Sequence, residues 1–345
     1  MRGIRFAGNS QTELVELDMP VPGDNDVIVA IKCSGICGSD LIRFPKSAEA
    51  QGAMLDVVSG HEGAGVVSEV GSAVTDVKVG DRVVLYFKLG CGECEYCILG
   101  HTVHCKRLVS LGRDVTGSGA DYVKIPSWAA LPLPDDFSFA DGAVLACNFG
   151  TAFAAIANSS LVRNGEVGFA HIYGAGPVGV CAALVAKAFG LTVTVSDLNS
   201  GRCEYAERTC DVVTVDASDP DAEQHLAALT NGRGFDLVIE TTGSTPGRTS
   251  AILNAAPLGE VVLVGNGEAR PLTPLGQVKD KQLHVRGSVI YRPQEYPAMV
   301  EICRKLPVKL ADLAAAAYPL ERAQEAFSRA MSRDGGKILL TRTEN

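Results

Sequence analysis

The chain has 345 residues, 46% of them hydrophobic and 21% charged, with a formal net charge of −9. That length allows two domains with separate cores, while the acidic balance gives no electrostatic reason to expect nucleic acid or an anionic membrane as a partner. No apolar run approaches the roughly 20 residues of a bilayer span and the N-terminus lacks a signal peptide's apolar block; a cytoplasmic location follows by default, with the eleven cysteines read as thiols, ligands or core residues rather than disulfides.

Residues 1 to about 85 read as short strands between turn signals, with Val27–Lys32 and Gly65–Val70 as strand candidates. Two polar clusters interrupt them, Cys33-Ser34-Gly35-Ile36-Cys37-Gly38-Ser39-Asp40 and Gly60-His61-Glu62-Gly63. Neither has the apolar periodicity of a structural element. Residues 91–105, CGECEYCILGHTVHC, place Cys91, Cys94, Cys97 and Cys105 in one short loop. Four thiolates with no open position make a closed structural zinc site. An iron–sulfur cluster is the competing reading, because closely spaced cysteines also occur in ferredoxins. Here no proline follows the fourth cysteine and no second array exists, which favours zinc. The acidic neighbours Glu93 and Glu95 argue against a nucleic-acid ribbon, and His101 and His104 read as loop residues.

A strand-like segment at Gly119–Ile125 precedes a helical stretch, residues 141–160, where the chain crosses between domains. From Val167 strands alternate with helices: Val167–Tyr173, Leu191–Val195, Val212–Val215, Phe235–Glu240, Glu260–Gly265 and His284–Ile290. Six such strands predict a doubly wound parallel sheet. The tail carries helices near Gln294–Lys305 and Leu320–Met331, and a last strand, Lys337–Thr341, expected to return to the first domain.

The strongest motif is Gly174-Ala175-Gly176-Pro177-Val178-Gly179, which follows a strand and opens a helix. Gly174 makes the tight turn, Gly176 lets backbone N–H groups approach a pyrophosphate, and Gly179 lets the helix lie close to the strand. The helix N-terminus then faces phosphate with unpaired donors. Asp197 ends the next strand, where a carboxylate accepts ribose hydroxyls and repels a 2′-phosphate, favouring NAD over NADP. Arg202, at the start of the following helix, joins this set of cofactor-binding candidates.

These four motifs, in this order, resemble the zinc-dependent medium-chain alcohol and polyol dehydrogenases, the sorbitol and threonine dehydrogenases among them, along nearly the whole chain. The resemblance implies a GroES-like β-rich catalytic domain (residues 1–150 and 291–345) and a Rossmann NAD-binding domain (151–290). It implies two zinc ions per chain, one structural at the four-cysteine loop and one catalytic. Cys37 and His61 resemble ligands of the catalytic zinc, and Glu62 looks like the family's glutamate beside that metal, able to ligate it. Cys147 is similar to the third ligand of the alcohol-dehydrogenase branch, whereas the sorbitol branch has glutamate followed by proline there. Ser39 resembles the hydroxyl that passes the substrate proton toward solvent, and Asp40 a carboxylate that orients a ligand. Three protein ligands leave the zinc a fourth position for a substrate oxygen, with hydride passing between the alcohol carbon and the nicotinamide. Many family members carry a histidine three residues after the Ser39 position. Here it is Ile42, so proton exit falls to Arg43, cofactor hydroxyls or water.

The implied reaction interconverts a small alcohol and its ketone, with a polyol or sugar-derived secondary alcohol as the leading substrate class. Gly-Ile-Cys-Gly-Ser-Asp and Tyr291…Tyr296-Pro297 lean toward polyols, while Cys147 leans toward simple alcohols or hydroxy acids. A zinc-stabilised NAD-binding sensor without turnover is the non-enzymatic alternative. Family members assemble as homodimers or homotetramers, and Glu260–Ile290 is the segment that would pair. The remaining cysteines, Cys33, Cys181, Cys203, Cys210 and Cys303, read as small core or surface thiols.

Overall fold

The fold is that of a computed structural model describing residues 1–267 and 275–342. Seven residues of the expected pairing segment (268–274) and the last three of 291–345 lie outside the described residues. The N-terminal half contributes β1 (Arg2–Gly8), β2 (Gln11–Glu16), β3 (Asp26–Gly35), β4 (Glu62–Val70), β5 (Arg82–Leu85), β6 (Lys88–Leu89), β7 (Val109–Ser110), β8 (Tyr122–Pro126) and β9 (Ala130–Pro132). After a long helical crossover come β10 (Phe169–Tyr173), β11 (Thr192–Asp197), β12 (Val213–Asp216), β13 (Phe235–Glu240), β14 (Ala255–Leu263) and β15 (His284–Gly287). The chain ends with β16 (Ala314–Pro319) and β17 (Lys337–Thr341).

Two sheets dominate. One is seven-stranded, ordered β16-β17-β3-β4-β5-β9, with β8 also pairing β3. The other is six-stranded and parallel, ordered β12-β11-β10-β13-β14-β15. Its order reverses between β11-β10 and β10-β13, which opens a crevice at the carboxyl ends of β10 and β13. Its central strands β10 and β13 are largely buried on both faces because helices cover both. The last strand pairs antiparallel with β3, bringing Leu339–Thr341 against Cys33–Gly35. Sequence and structure differ at several strand ends: β3 runs on to Gly35 and β4 starts at Glu62, so parts of both polar clusters join strands, and two later ends also move. β14 begins at Ala255, before the expected Glu260, and passes an irregularity in its pairing with β13. β15 stops at Gly287, and Ile290 at φ 46° then turns the chain toward Tyr291.

The crossover is one helical run, Phe139–Ala157, of 19 residues and mean hydropathy 1.4. By length and composition it could cross a membrane, contrary to the expectation that no segment approaches that length. In the fold it is a core helix, with 83% of its most apolar window buried. It starts at Ser138, whose hydroxyl accepts from Asp141 N–H while the Asp141 carboxylate accepts from Ser138 N–H. Its middle, Leu145–Phe149, is a π-helical turn. Such turns insert a residue and re-aim the side chains around them. Cys147 sits at the centre of this one.

Candidate active site

Three distant segments deliver the first cluster. Cys37 is the N-cap of the short helix Gly38–Arg43, which continues from β3. His61 and Glu62 stand at the start of β4, and Cys147 lies on the π turn. One donor atom from each of these four lies within 4.8 Å of all the others. The Cys37 and Cys147 sulfurs are 4.0 Å apart, close to the separation of about 3.8 Å that two ~2.3 Å zinc–sulfur bonds give in a tetrahedron. The donor chemistry therefore fits zinc. Hydrogen bonding from Cys147 holds the Cys37 pKa well below the ordinary thiol value, and the charge of His61 acts the same way. The same contact and burial hold the Cys147 pKa well above it. Burial works to lower the His61 pKa, but the charges of Asp40 and Cys37 outweigh it.

The surroundings orient these groups. Asp40 Oδ2 accepts from Cys37 N–H at 3.0 Å, and its Oδ1 lies 3.5 Å from His61 Nδ1. A carboxylate on Nδ1 favours the tautomer that leaves Nε2 as the donor atom. Phe87 packs on the other side, its ring 4.6 Å from the His61 ring. Glu62 is fully buried; its Oε1 accepts from Asn148 Nδ2 at 3.2 Å, and its Oε2 pairs with Lys337 Nζ. Burial lifts the Glu62 carboxyl to about 7, with Lys337 opposing that rise. Lys337, itself 2% exposed, also donates to Ile36 O at 2.7 Å.

The four-cysteine loop closes on itself as a second cluster. The sulfurs of Cys91, Cys94, Cys97 and Cys105 lie within 4.8 Å of one another. Cys94 and Cys97 are 3.5 Å apart, and Cys91 and Cys97 3.9 Å, again bracketing a tetrahedral zinc. Backbone N–H groups of Cys91 and Arg107 donate to the Cys105 sulfur, and that of Glu93 leads in lowering the Cys91 thiol to about 6. His101 and His104 stand outside the cluster, as a loop reading expects.

A cleft of about 650 Å³ runs from the first cluster to the glycine turn. Cys37, Ser39 and Cys147 line one end of it, and Gly174, Gly176, Pro177, Val178, Gly179, Asp197 and Arg202 the other. Gly174 has φ 98°, the turn only glycine makes cheaply. A Cβ on Gly179 would lie 1.7 Å from Gly174 O, so the helix Pro177–Ala188 could not approach the strand with a side chain there. A Cβ on Gly176 would meet nothing within 4 Å, because that position opens on the cleft. Asp197 Oδ2 accepts from Ala175 N–H at 2.8 Å, and Arg202 Nη1 lies 3.6 Å from the same oxygen. Asp197 thus ties the turn while facing the cleft.

One of the three proton exits drops out. Arg43 is no proton exit: its guanidinium donates to Gln51 Oε1, Gly112 O and Met54 O and lies 4.8 Å over the Phe6 ring. The side chain turns away from Ser39 into the loops behind the helix. Tyr291 and Tyr296, whose only sequence signal is a likeness to polyol dehydrogenases, are core residues, with the Tyr291 ring filling the space beside Gly150. Of the two readings for the five remaining cysteines, core or surface, all five take the first, each being buried. Two partners of the site, Asn148 and Lys337, went unassigned from sequence. Lys337 had one available signal, a lysine opening an otherwise apolar strand.

Comparison with known proteins matches residues 23–135 to the alcohol dehydrogenase GroES-like domain and residues 177–305 to the zinc-binding dehydrogenase domain. D-xylulose reductase A of Aspergillus oryzae is 30% identical over 333 residues, covering 94% of this chain and 92% of that protein. Among solved structures, alcohol dehydrogenase TADH from Thermus sp. ATN1 superposes with TM-score 0.91 at 25% identity, covering 99% of this chain and 100% of that one. Galactitol-1-phosphate dehydrogenase from Escherichia coli gives 0.87 at 27% identity, with 99% and 100% covered.

Proposed function

The chain belongs to the zinc-dependent medium-chain dehydrogenase/reductase family, NAD-dependent oxidoreductases of alcohols, and on that premise we propose that it oxidises a polyol or sugar-derived secondary alcohol in the cleft between Cys37 and Gly176. The relatives named for xylulose and galactitol 1-phosphate support that substrate class. The carrying observation is the convergence of Cys37, His61 and Cys147, from three unconnected segments, at the end of the cleft that also holds the glycine turn. In this reading those three side chains hold the catalytic zinc, with Glu62 beside them, and the four-cysteine loop holds the structural one. When bound, zinc supplies Lewis acidity at the substrate oxygen and NAD accepts the hydride.

The chain's own residues do the rest. Asp40 fixes the His61 ring and the Cys37 backbone. Lys337 and Asn148 hold both Glu62 oxygens, which keeps that carboxylate in place beside the thiolates. Ser39 Oγ takes the substrate proton, and with Ile42 next to it and Arg43 turned away the proton leaves through cofactor hydroxyls or cleft water. Gly174–Gly179 and the helix N-terminus receive the pyrophosphate, and Asp197 the adenosine ribose. Residues 1–150 with 291–345 form the metal-holding unit in this reading, and 151–290 the nucleotide unit. The exposed edge strand β15 supports a homodimer or homotetramer, and the free cysteines support a reducing, cytoplasmic setting.

Cys37→Ser tests the ligand set. The variant is expected to lose one of two zinc ions by elemental analysis and ~10³-fold or more of its turnover, while binding NADH with unchanged affinity. Two retained zincs with normal turnover would overturn the assignment.

A further inference from the structure

Asp197 is the carboxylate expected to turn a 2′-phosphate away, and its surroundings blunt that effect. Both of its oxygens are already engaged: Oδ2 accepts from Ala175 N–H at 2.8 Å and Oδ1 from Asn199 N–H at 3.0 Å. Arg202 Nη1 stands 3.6 Å from Oδ2, so the negative charge faces a guanidinium that also lines the cleft.

A second arginine reaches the same place from the other side. After the helix Ala323–Met331 the chain turns through residues 332–336 into β17, and Arg333, Asp334, Gly335 and Gly336 of that turn line the cleft. Arg333 has φ 56°, left-handed backbone that is uncommon outside glycine, and the positive-φ residues Gly335 and Gly336 follow it. Such a conformation persists where the surroundings fix it. Here Arg333 N–H donates to Ala330 O at 3.3 Å, and Arg333 O accepts from Arg202 Nε at 2.7 Å. Arg202 thus faces Asp197 with one nitrogen and holds the Arg333 backbone with another, which places Arg333 at the Asp197 end of the cleft.

The other charges lining this end are matched. Arg329 pairs with Asp334, which also accepts from Ser332 Oγ. Glu223 accepts from Ser250 Oγ and Asn254 Nδ2. Among the described residues the Arg333 guanidinium has neither a carboxylate within ion-pair distance nor a hydrogen-bond acceptor. It is exposed, so the missing partner costs little; what counts is where a planar fork of donors, suited to phosphate, has been put.

We propose that the ribose end of the cleft admits a 2′-phosphate, received by Arg333 together with Arg202, so that the chain takes NADP as a second cofactor beside NAD. The inference rests on the reading of the cleft as a dinucleotide site. Asp197 still ranks NAD first, and Arg333 narrows its margin.

The test follows NADH and NADPH binding to the zinc-loaded protein by nicotinamide fluorescence, at low and high salt. NADPH is expected to bind within about 100-fold of NADH at low salt and to fall further behind as salt screens the arginines. Arg333→Gln should weaken NADPH by roughly 10-fold, the worth of one charge-assisted hydrogen bond, and leave NADH within about twofold. Arg333→Lys should restore part of the loss, since it keeps the charge without the fork. With any alcohol that is turned over, NADP-linked kcat/KM should fall in Arg333→Gln by the same factor as NADPH affinity. A wider gap between the two nucleotides in the native protein overturns the proposal. So does an Arg333→Gln variant that loses nothing, or that loses NADH and NADPH equally, the latter putting Arg333 on the diphosphate common to both. Failure of either nucleotide to bind while both zincs are present overturns the dinucleotide reading itself, and the role of Arg333 with it.

Discussion

His171 shows how far one residue departs from what its neighbours in sequence suggest. It lies in the middle of β10 at 0% exposure, between the rings of Tyr173 and Phe235. Thr194 and Ser196 hydroxyls, both from β11, meet its two ring nitrogens at 2.6 and 3.0 Å. Burial alone depresses its pKa to about 3, so the folded protein holds the neutral imidazole. The unfolded chain takes a proton as pH falls below ~6.5, so stability is full above that value and drains away until the folded pKa is reached. Between pH 6.5 and 4.5 the native protein should lose about 2.3 kcal/mol more than His171→Gln, which does not titrate. Urea midpoints across that range check it; parallel pH slopes would contradict the neutral assignment. Position along the chain also misled at Arg43. Adjacency to Ile42 made it a relay candidate, but a helix rotates successive side chains by about 100°, and that rotation sends it to Gly112.

Secondary structure was the most legible level. The strand–glycine–helix–strand order, the six alternating strands and the four-cysteine loop all follow from local pattern, since each is fixed by residues close in sequence. The π turn at Leu145–Phe149 had no such signature, because it depends on what the helix packs against rather than on its own residues. The pairing of Lys337 with Glu62 was equally hidden, as it joins two strands of one sheet through a register set by the whole fold. The four-cysteine loop makes a prediction of its own. Its elements are only a short helix, Glu95–Ile98, and a 3₁₀ turn, Thr102–His104, too small to persist without cross-linking. Cys97→Ser should therefore drop zinc from two ions to one per chain and expose residues 91–105 to protease, with NADH affinity unchanged. A protease-resistant loop in that variant would show that the metal does not hold it.

At the scale of the molecule the two sheets are not independent. One apolar cluster runs from Val29 and Ile31 of β3 through Leu145, Phe149 and Phe153 of the crossover helix to Val180 and Leu184 and on to Ile172 and Val195 of the parallel sheet. A core shared this way predicts cooperative unfolding of both halves. Calorimetry of the zinc-loaded protein should give one transition, shifted as a unit to higher temperature by NADH. Two peaks, only one of them responding to NADH, would mean that the halves melt separately.

The crossover helix carries a consequence for engineering. Phe139–Ala157 presents Cys147 to the cluster of Cys37, His61 and Glu62 and packs on the helix that opens at Gly176, so the two proposed functions share one rod. On the proposed division of the chain, a chimera joining its nucleotide half to the metal half of a relative would therefore have to inherit the rod intact. Cut within it, the hybrid would hold either ion or dinucleotide in the native pose, and productive alignment of the two would be lost even if each half were well formed.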